Sequence, residues 1–167
     1  MAKVAIIMGS QSDLPALEGA LRLLKQFSVG VEVHVLSAHR TPYEAAAFAS
    51  KAREEGFEVI IAAAGKAAHL PGVLAAYTTL PVIGLPIKSS YQDGADSLLS
   101  IVQMPSGVPV ATVGVQAGEN AALLAVQILG VKYPDLAEAL SAYKDAMHAN
   151  VLKQDAQVQA AVADILK

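Results

Sequence analysis

The chain has 167 residues, no cysteine and a formal net charge of −3 at pH 7. The lack of cysteine excludes thiol nucleophiles, zinc–thiolate sites and disulfides, and it fits a reducing cytoplasm. Charged residues make up only 16% of the chain, so the sequence has no basic face with which to bind nucleic acid.

Hydrophobic residues make up 54% of the chain, and the mean hydropathy is +0.44. No apolar run approaches the roughly 20 residues that a bilayer-spanning helix needs, and the start of the chain lacks the pattern of a signal peptide. We therefore expect a cytoplasmic protein with no membrane partner. Because many apolar side chains accompany few charges, some surface is expected to be buried between the subunits of a homo-oligomer.

Five short apolar runs have the length of β-strands. They are residues 4–8, 31–36, 59–64, 81–84 and 110–113. Segments with helical periodicity separate them, for example Leu14, Leu17, Leu21 and Leu24. This alternation predicts βαβ units and one three-layer α/β/α domain over residues 1–167, with a parallel sheet covered by helices on both faces.

The chain after Pro134 has no further strand pattern. Residues 136–167 are predicted to form one long helix or two consecutive helices. An apolar stripe runs along them, made of Leu140, Tyr143, Met147, Val151, Leu152, Val158, Val162 and Leu166. We expect residues 134–167 to form a C-terminal helical arm that packs on a neighbouring subunit, although folding back on its own domain is the alternative.

The first strand leads into Gly9-Ser10-Gln11-Ser12-Asp13, followed by Pro15 near the start of a helix. Serine or aspartate before such a proline is typical of a helix N-cap. The same loop also suits an anion or a sugar phosphate, since glycine permits close backbone approach and Asp13 can accept from ribose hydroxyls. The two interpretations are compatible.

His39 and Arg40 follow the second predicted strand, which its β-branched residues indicate to be buried and central. In doubly wound sheets, ligands bind beyond the carboxyl ends of the strands. Histidine is the side chain best suited to exchange a proton near neutral pH. A capping or interface role for His39 and a surface ion pair of Arg40 are the structural alternatives, and the strand-end position favours function.

The third and fourth predicted strands also end in loops of small or polar residues, at 64–72 and 84–90. The first of these contains His69, which taken alone indicates a loop histidine, and the second contains Lys88, which is compatible with simple solvation. The convergence of four such loops predicts a phosphorylated polar ligand.

The pattern of residues argues against two classes of site. His39 and His69 lack the spacing and the neighbouring carboxylates of a metal site, so we expect no metal. No Gly-x-Ser-x-Gly elbow is present for a Ser-His-Asp hydrolase. His34, within a strand, and His148, on the terminal helix, are assigned packing or surface roles.

Four motifs in order carry a resemblance: MGSQSD at 8–13, SAHRTP at 37–42, AAHLPG at 67–72 and DSLLSIVQMP at 96–105. Together, over about residues 4–129, they resemble the 5-(carboxyamino)imidazole ribonucleotide mutases of de novo purine biosynthesis. The resemblance implies a flavodoxin-like fold, a homo-octamer with active sites shared between subunits, a ribonucleotide substrate, and no cofactor or metal. It also implies transfer of a carboxylate from the exocyclic nitrogen to ring carbon 4, through decarboxylation and recarboxylation.

The resemblance further assigns residues. His39 matches the residue that carries the proton, and Arg40 matches a substrate contact whose guanidinium suits a phosphate. Ser10 and Asp13 match phosphate- and ribose-binding positions. The remaining matches line the same pocket: Ser37, Gly65, Ala67, His69 and Leu70. The chain departs from the family at Lys66, where a second glycine is more common, and at residues 113–121, which look short.

Two other functions compete with the mutase. One is an aminoimidazole ribonucleotide carboxylase that uses carbon dioxide directly, against which Arg40 and the intact AAHLPG loop both argue. The other is a noncatalytic nucleotide-binding or receiver-like module on the same fold. A receiver would have acidic residues after its first and third strands, where this chain has Gly9-Ser10 and Gly65-Lys66.

Overall fold

The computed structural model describes residues 1–167, with five strands, one 3-10 turn at Gln11–Asp13 and six α-helices. The strands are β1 (Lys3–Met8), β2 (Gly30–Val35), β3 (Val59–Gly65), β4 (Val82–Ile87) and β5 (Ala111–Thr112). The helices are α1 (Leu14–Gln26), α2 (Pro42–Lys51), α3 (Leu70–Tyr77), α4 (Ala95–Val102), α5 (Gly118–Gly130) and α6 (Pro134–Ile165).

The strands form one parallel sheet in the order β2-β1-β3-β4-β5. This is the flavodoxin-like order, and the predicted three-layer fold is confirmed. From β1 the chain goes to the edge strand β2, and from β3 it continues through β4 to the opposite edge strand β5. The direction in which strands are added to the sheet therefore reverses between β1 and β3. Open α/β sheets bind their ligands in the crevice at this reversal point.

Helices cover both faces of the sheet, and successive residues of a central strand belong to different cores. Ile6 packs in the core under α1 and α5, and Ile7 packs in the core under α2 and α3. Apart from Lys3 at the start of β1, the inner strands β1, β3 and β4 are therefore apolar, as parallel strands buried on both faces usually are. On the first face Gly118 lets α5 approach α1, since a Cβ there would lie 2.2 Å from the carbonyl oxygen of Ala16.

The prediction of a central, buried strand at residues 31–36 is wrong. β2 is an edge strand that pairs only with β1, and Val33 and Val35 are 39% and 53% exposed. Its β-branched residues express strand propensity, which does not require burial on both faces. His39 and Arg40 still follow a strand end, next to the reversal point.

The boundaries of two other strands also differ from their predictions. β4 continues to Ile87, beyond the predicted end at residue 84, and β5 has only two residues. The extension of β4 brings the loop that follows it level with the end of β3, because Ile87 pairs with Gly65.

The C-terminal segment is a single helix of 32 residues, α6. Its first turns pack on the domain: Leu140 is buried, and the ring of Tyr143 lies 5.8 Å from that of Phe27. The turn before it is anchored by Tyr133, whose hydroxyl donates to Glu58 Oε2 over 2.9 Å. From Met147 onward the helix is exposed. No helix in the protein combines the length and apolarity needed to cross a membrane.

Candidate active site

A cavity of about 540 Å³ opens at the carboxyl edge of the sheet, between the loops that follow β1, β2, β3 and β4. Its size is typical of a small-molecule site. All of the site residues predicted from the sequence line it: Ser10, Asp13, Ser37, His39, Arg40, Gly65, Ala67, His69 and Leu70. The structure thus brings these residues together, while their individual roles stay predictions. His34 and His148 lie outside the cavity.

The loop after β1 forms a capped turn. The Ser10 hydroxyl accepts from the backbone N–H of Ser12 over 3.3 Å, and Asp13 Oδ2 accepts from the backbone N–H of Ser10 over 3.1 Å. The predicted cap is thus present on the 3-10 turn, while α1 itself has no side-chain cap. Burial raises the pKa of the Asp13 carboxyl above its ordinary value, although the hydrogen bonds from Ser10 and Ser12 counteract this.

The loop after β2 is fixed by two residues that bracket the catalytic candidates. The backbone N–H of Ser37 donates to Thr41 Oγ1 over 2.8 Å, and the backbone N–H of Thr41 donates to the Ser37 carbonyl over 2.9 Å. Pro42 then starts α2, as the sequence predicts. This closed turn holds the backbone of His39 and Arg40 against the cavity.

Arg40 connects the second loop to the first. Its Nη2 donates to the carbonyl oxygen of Gly9 over 3.2 Å, and its backbone N–H donates to Ser37 Oγ over 3.2 Å. No carboxylate lies within ion-pair distance of the guanidinium. The alternative of a surface ion pair is therefore wrong, and the charge of Arg40 is free to attract an anion.

His39 and His69 contact each other across the cavity. His39 Nε2 lies 2.8 Å from His69 Nδ1, and the two rings meet edge to face at 70°. One nitrogen donates and the other accepts, so the facing atoms share a single proton. His69 lies in the loop between β3 and α3, as expected for a loop histidine, and its polar partner is His39. Nothing local in the sequence indicates a pairing between residues 30 positions apart.

Several lining residues were absent from the predicted site. Ile87 at the end of β4 lines the cavity, as do three residues of the loop that follows it, Lys88, Ser89 and Ser90. Ser89 is buried, and its hydroxyl donates to Asp96 Oδ1 over 2.8 Å. The polar run at the end of the fourth predicted strand is the signal that could have placed these residues in the site.

Residues 113–121, which look short for the family, do not line the cavity. Gln116 nevertheless supports it from behind, since its Oε1 accepts from the backbone N–H of Lys88 over 3.1 Å. This segment contributes bracing of the fourth loop and no direct contact with the cavity.

Lys66 also lines the cavity, and its backbone is in the left-handed region at φ +57°. For a residue with a Cβ this conformation costs roughly 1–2 kcal/mol relative to the right-handed region. That cost explains why glycine would suit the position. Together, Arg40, Lys66 and Lys88 face a single lining carboxylate, that of Asp13, so the cavity has an excess of positive charge suited to a polyanion.

A family model described as AIR carboxylase matches residues 3–150. The chain belongs to the AIR carboxylase family. The resemblance expected from the four motifs is therefore confirmed. The matched region extends beyond the predicted residues 4–129 and includes the first half of α6.

Several members of the AIR carboxylase family are similar over most of this chain. The N5-carboxyaminoimidazole ribonucleotide mutase of Pyrococcus horikoshii is 59% identical over 148 residues, which are 89% of this chain and 84% of that protein. The mutase of Mycobacterium tuberculosis is 52% identical over 157 residues, 94% of this chain and 90% of that protein. The phosphoribosylaminoimidazole carboxylase of Candida glabrata is 50% identical over 156 residues, 93% of this chain but 27% of that larger protein.

The fold is also similar to that of a solved structure. The crystal structure of Treponema denticola PurE superposes with a TM-score of 0.84 at 28% identity and covers 94% of this chain and 98% of that one.

Proposed function

We propose that this protein is an N5-carboxyaminoimidazole ribonucleotide mutase, which converts 5-(carboxyamino)imidazole ribonucleotide into its ring-carboxylated isomer in purine biosynthesis. The observation that carries the proposal is the cavity itself. It joins a histidine pair to an unpaired guanidinium at the point where ligands bind in such sheets. The relatives named as mutases match nearly end to end, which supports the same function.

The reaction balances with one proton and no further reactant. Breaking the N–C bond of the carbamate releases carbon dioxide and requires a proton on the exocyclic nitrogen. Forming the C–C bond at ring carbon 4 releases the proton of that carbon. His39 is proposed to give the first proton and to take the second, so the same group serves both steps if carbon dioxide stays in the cavity.

The other lining residues are proposed to bind the ribonucleotide. Arg40 binds the phosphate, because a guanidinium offers several N–H donors in a geometry that matches phosphate oxygens. Ser10 and Asp13 bind phosphate and ribose. The remaining predicted residues enclose the ring: Ser37, Gly65, Ala67, His69 and Leu70.

His69 keeps its proposed place in this set through the contact with His39. When His69 Nδ1 is the acceptor, it fixes which nitrogen of His39 carries the proton and in which direction the ring faces. Gly65 and Ala67 contribute small side chains, which leave room for a flat ring against the backbone.

A direct carboxylase is the second candidate, favoured by the Candida glabrata relative. The two reactions differ in the fate of the carboxylate. In the test, ring-carboxylated substrate with an isotopic label in its carboxylate is incubated with the protein and unlabelled dissolved carbon dioxide. The two isomers are expected to reach equilibrium without ATP, and the carboxylate is expected to keep its label. Exchange of the label at the rate of turnover would establish the carboxylase, and no turnover would leave a noncatalytic nucleotide-binding module. A reaction without protein gives the background.

We also propose that residues 134–167 are an arm of a single domain, and that the arm packs on a neighbouring subunit in a cytoplasmic homo-octamer. The support is its exposed apolar stripe, in which Met147, Val151 and Val158 are each more than half exposed. Single chains would leave this stripe in water.

Light scattering of the full chain is expected to give the mass of eight subunits. The change Val151→Glu is expected to lower that mass, because it puts a charge in the buried contact. Ala160→Glu, on the opposite side of the helix from Val151, is the matched control and is expected to keep the octamer. A monomer in the unmodified protein would refute the proposal.

A further inference from the structure

Lys66 is the one cation of the cavity that nothing in the structure engages. Arg40 donates to Gly9 and Ser37, and Lys88 Nζ lies 3.0 Å from Asp93 Oδ1. The Lys66 side chain has no ion pair, and it donates no hydrogen bond. A charge that lines a cavity without a partner is available to a ligand.

The backbone of Lys66 lies in the left-handed region on the wall of the cavity, and its carbonyl oxygen accepts a hydrogen bond from Ser100 Oγ over 3.5 Å. Three further residues with a side chain have positive φ: Ser28, Asp93 and Gln116. Ser28 ends α1 through a backbone bond to Lys25, Asp93 pairs with Lys88, and Gln116 braces Lys88. Strain held at the wall of a cavity is typical of a functional position.

The position of Lys66 differs from that of Arg40. Lys66 directly follows β3, whose last residue Gly65 pairs with Ile87 of β4, and it shares its loop with His69. Arg40 is bonded instead to the loop after β1, beside Ser10 and Asp13. The cavity therefore presents two cations without a carboxylate partner, Arg40 on the side of β1 and Lys66 on the side of β3 and β4, while Lys88 is paired with Asp93.

We propose that Lys66 binds the carboxylate that moves in the reaction, so that the protein selects carboxylated ribonucleotides over the decarboxylated one. The inference rests on the proposed function. Both carboxylated isomers carry two anionic groups, the phosphate and the carboxylate, and two separate cations match them. Arg40 lies beside the proposed phosphate-binding residues and is assigned the phosphate. Lys66, which shares its loop with His69, is therefore assigned the carboxylate.

This assignment predicts that Lys66 contributes to the affinity for carboxylated ribonucleotides and not to the affinity for aminoimidazole ribonucleotide. Aminoimidazole ribonucleotide has the phosphate but no carboxylate, so a lysine that binds the carboxylate contributes nothing to its affinity. A lysine that binds the phosphate would contribute equally to all of the ribonucleotides.

Calorimetry on the full-length protein tests the proposal with two probes, the ring-carboxylated ribonucleotide and aminoimidazole ribonucleotide. Lys66→Met is expected to weaken binding of the carboxylated probe by about tenfold, the scale of a charge-assisted hydrogen bond in an open site. Binding of aminoimidazole ribonucleotide is expected to change less than about twofold. Lys51→Met, an exposed lysine at the end of α2, controls for net charge and is expected to change neither affinity.

Lys66→Gly separates the charge from the backbone. It relieves the left-handed strain and removes the cation, so it is expected to show the same selective loss as Lys66→Met while keeping the fold. Equal losses for both probes, or no loss for either, would overturn the proposal and leave the mutase function standing. An unmodified protein that binds neither ribonucleotide would overturn both.

Discussion

Replacing His39 by asparagine is expected to lower kcat by about 10²- to 10⁴-fold, the usual contribution of a positioned general acid–base. In the unmodified protein His39 Nε2 lies 2.8 Å from His69 Nδ1. Asparagine keeps a hydrogen-bonding group near His69, but it cannot take and return a proton. Substrate affinity is expected to change only a fewfold, because the proposed binding groups lie on other residues.

The measurement is steady-state turnover in both directions, together with the Kd of the ring-carboxylated ribonucleotide. His34→Asn is the matched control: His34 is an exposed histidine of β2 that does not line the cavity, and near-normal turnover is expected for it. A His39→Asn protein with near-normal kcat would remove His39 from the proton transfer. A large loss of affinity at unchanged kcat would assign it to binding alone.

The histidine pair gives this substitution a second consequence. In the unmodified protein the facing nitrogens share one proton, so protonation of both rings at once places two donors face to face and breaks the contact. The contact therefore requires that at least one of the two rings be neutral. The loops create this contact, since β1 lies between β2 and β3 and the loop after β2 reaches across its end to the loop after β3.

The sequence was most informative where one physical demand governed a whole segment. β1 after Lys3 and β3 are buried on both faces, so these positions are apolar and the limits of both strands were predicted to within a residue or so. β2 differs from them, because Glu32 and His34 alternate with its valines, which is typical of a strand with a solvent-facing side, and it lies at the edge of the sheet. For residues 136–167 the sequence predicted one long helix or two consecutive helices; the structure has one, and no glycine or proline follows Pro134 to interrupt it.

The site was predictable in its membership and much less so in its contacts. Convergence of strand-end loops follows from parallel topology, and it brought Ser10, His39 and His69 to one cavity. The 2.8 Å contact of His39 with His69 depends on the exact course of two loops, and the left-handed backbone of Lys66 depends on how β3 turns into α3. No local pattern encodes either one.

Replacing Arg40 by methionine is expected to raise KM by about 10- to 100-fold at nearly unchanged kcat, since charge-assisted hydrogen bonds contribute roughly 1.5–3 kcal/mol each. Methionine keeps the length and the apolar stem but removes the charge and the donor that reaches the Gly9 carbonyl over 3.2 Å. Arg40→Lys is expected to recover part of the loss, because an ammonium supplies charge without the planar fork. Arg22→Met, on the exposed face of α1 where Arg22 pairs with Glu18, is the control.

A probe without the phosphate shows whether Arg40 binds that group. The unmodified protein is expected to prefer the ring-carboxylated ribonucleotide strongly over the matching nucleoside, and Arg40→Met is expected to lose most of this preference. The affinity for the nucleoside is expected to stay the same, because the nucleoside has no phosphate for Arg40 to bind. If both affinities fell together, the hydrogen bonds of Arg40 to Gly9 and Ser37 would be holding the cavity in shape, and the phosphate would be bound elsewhere.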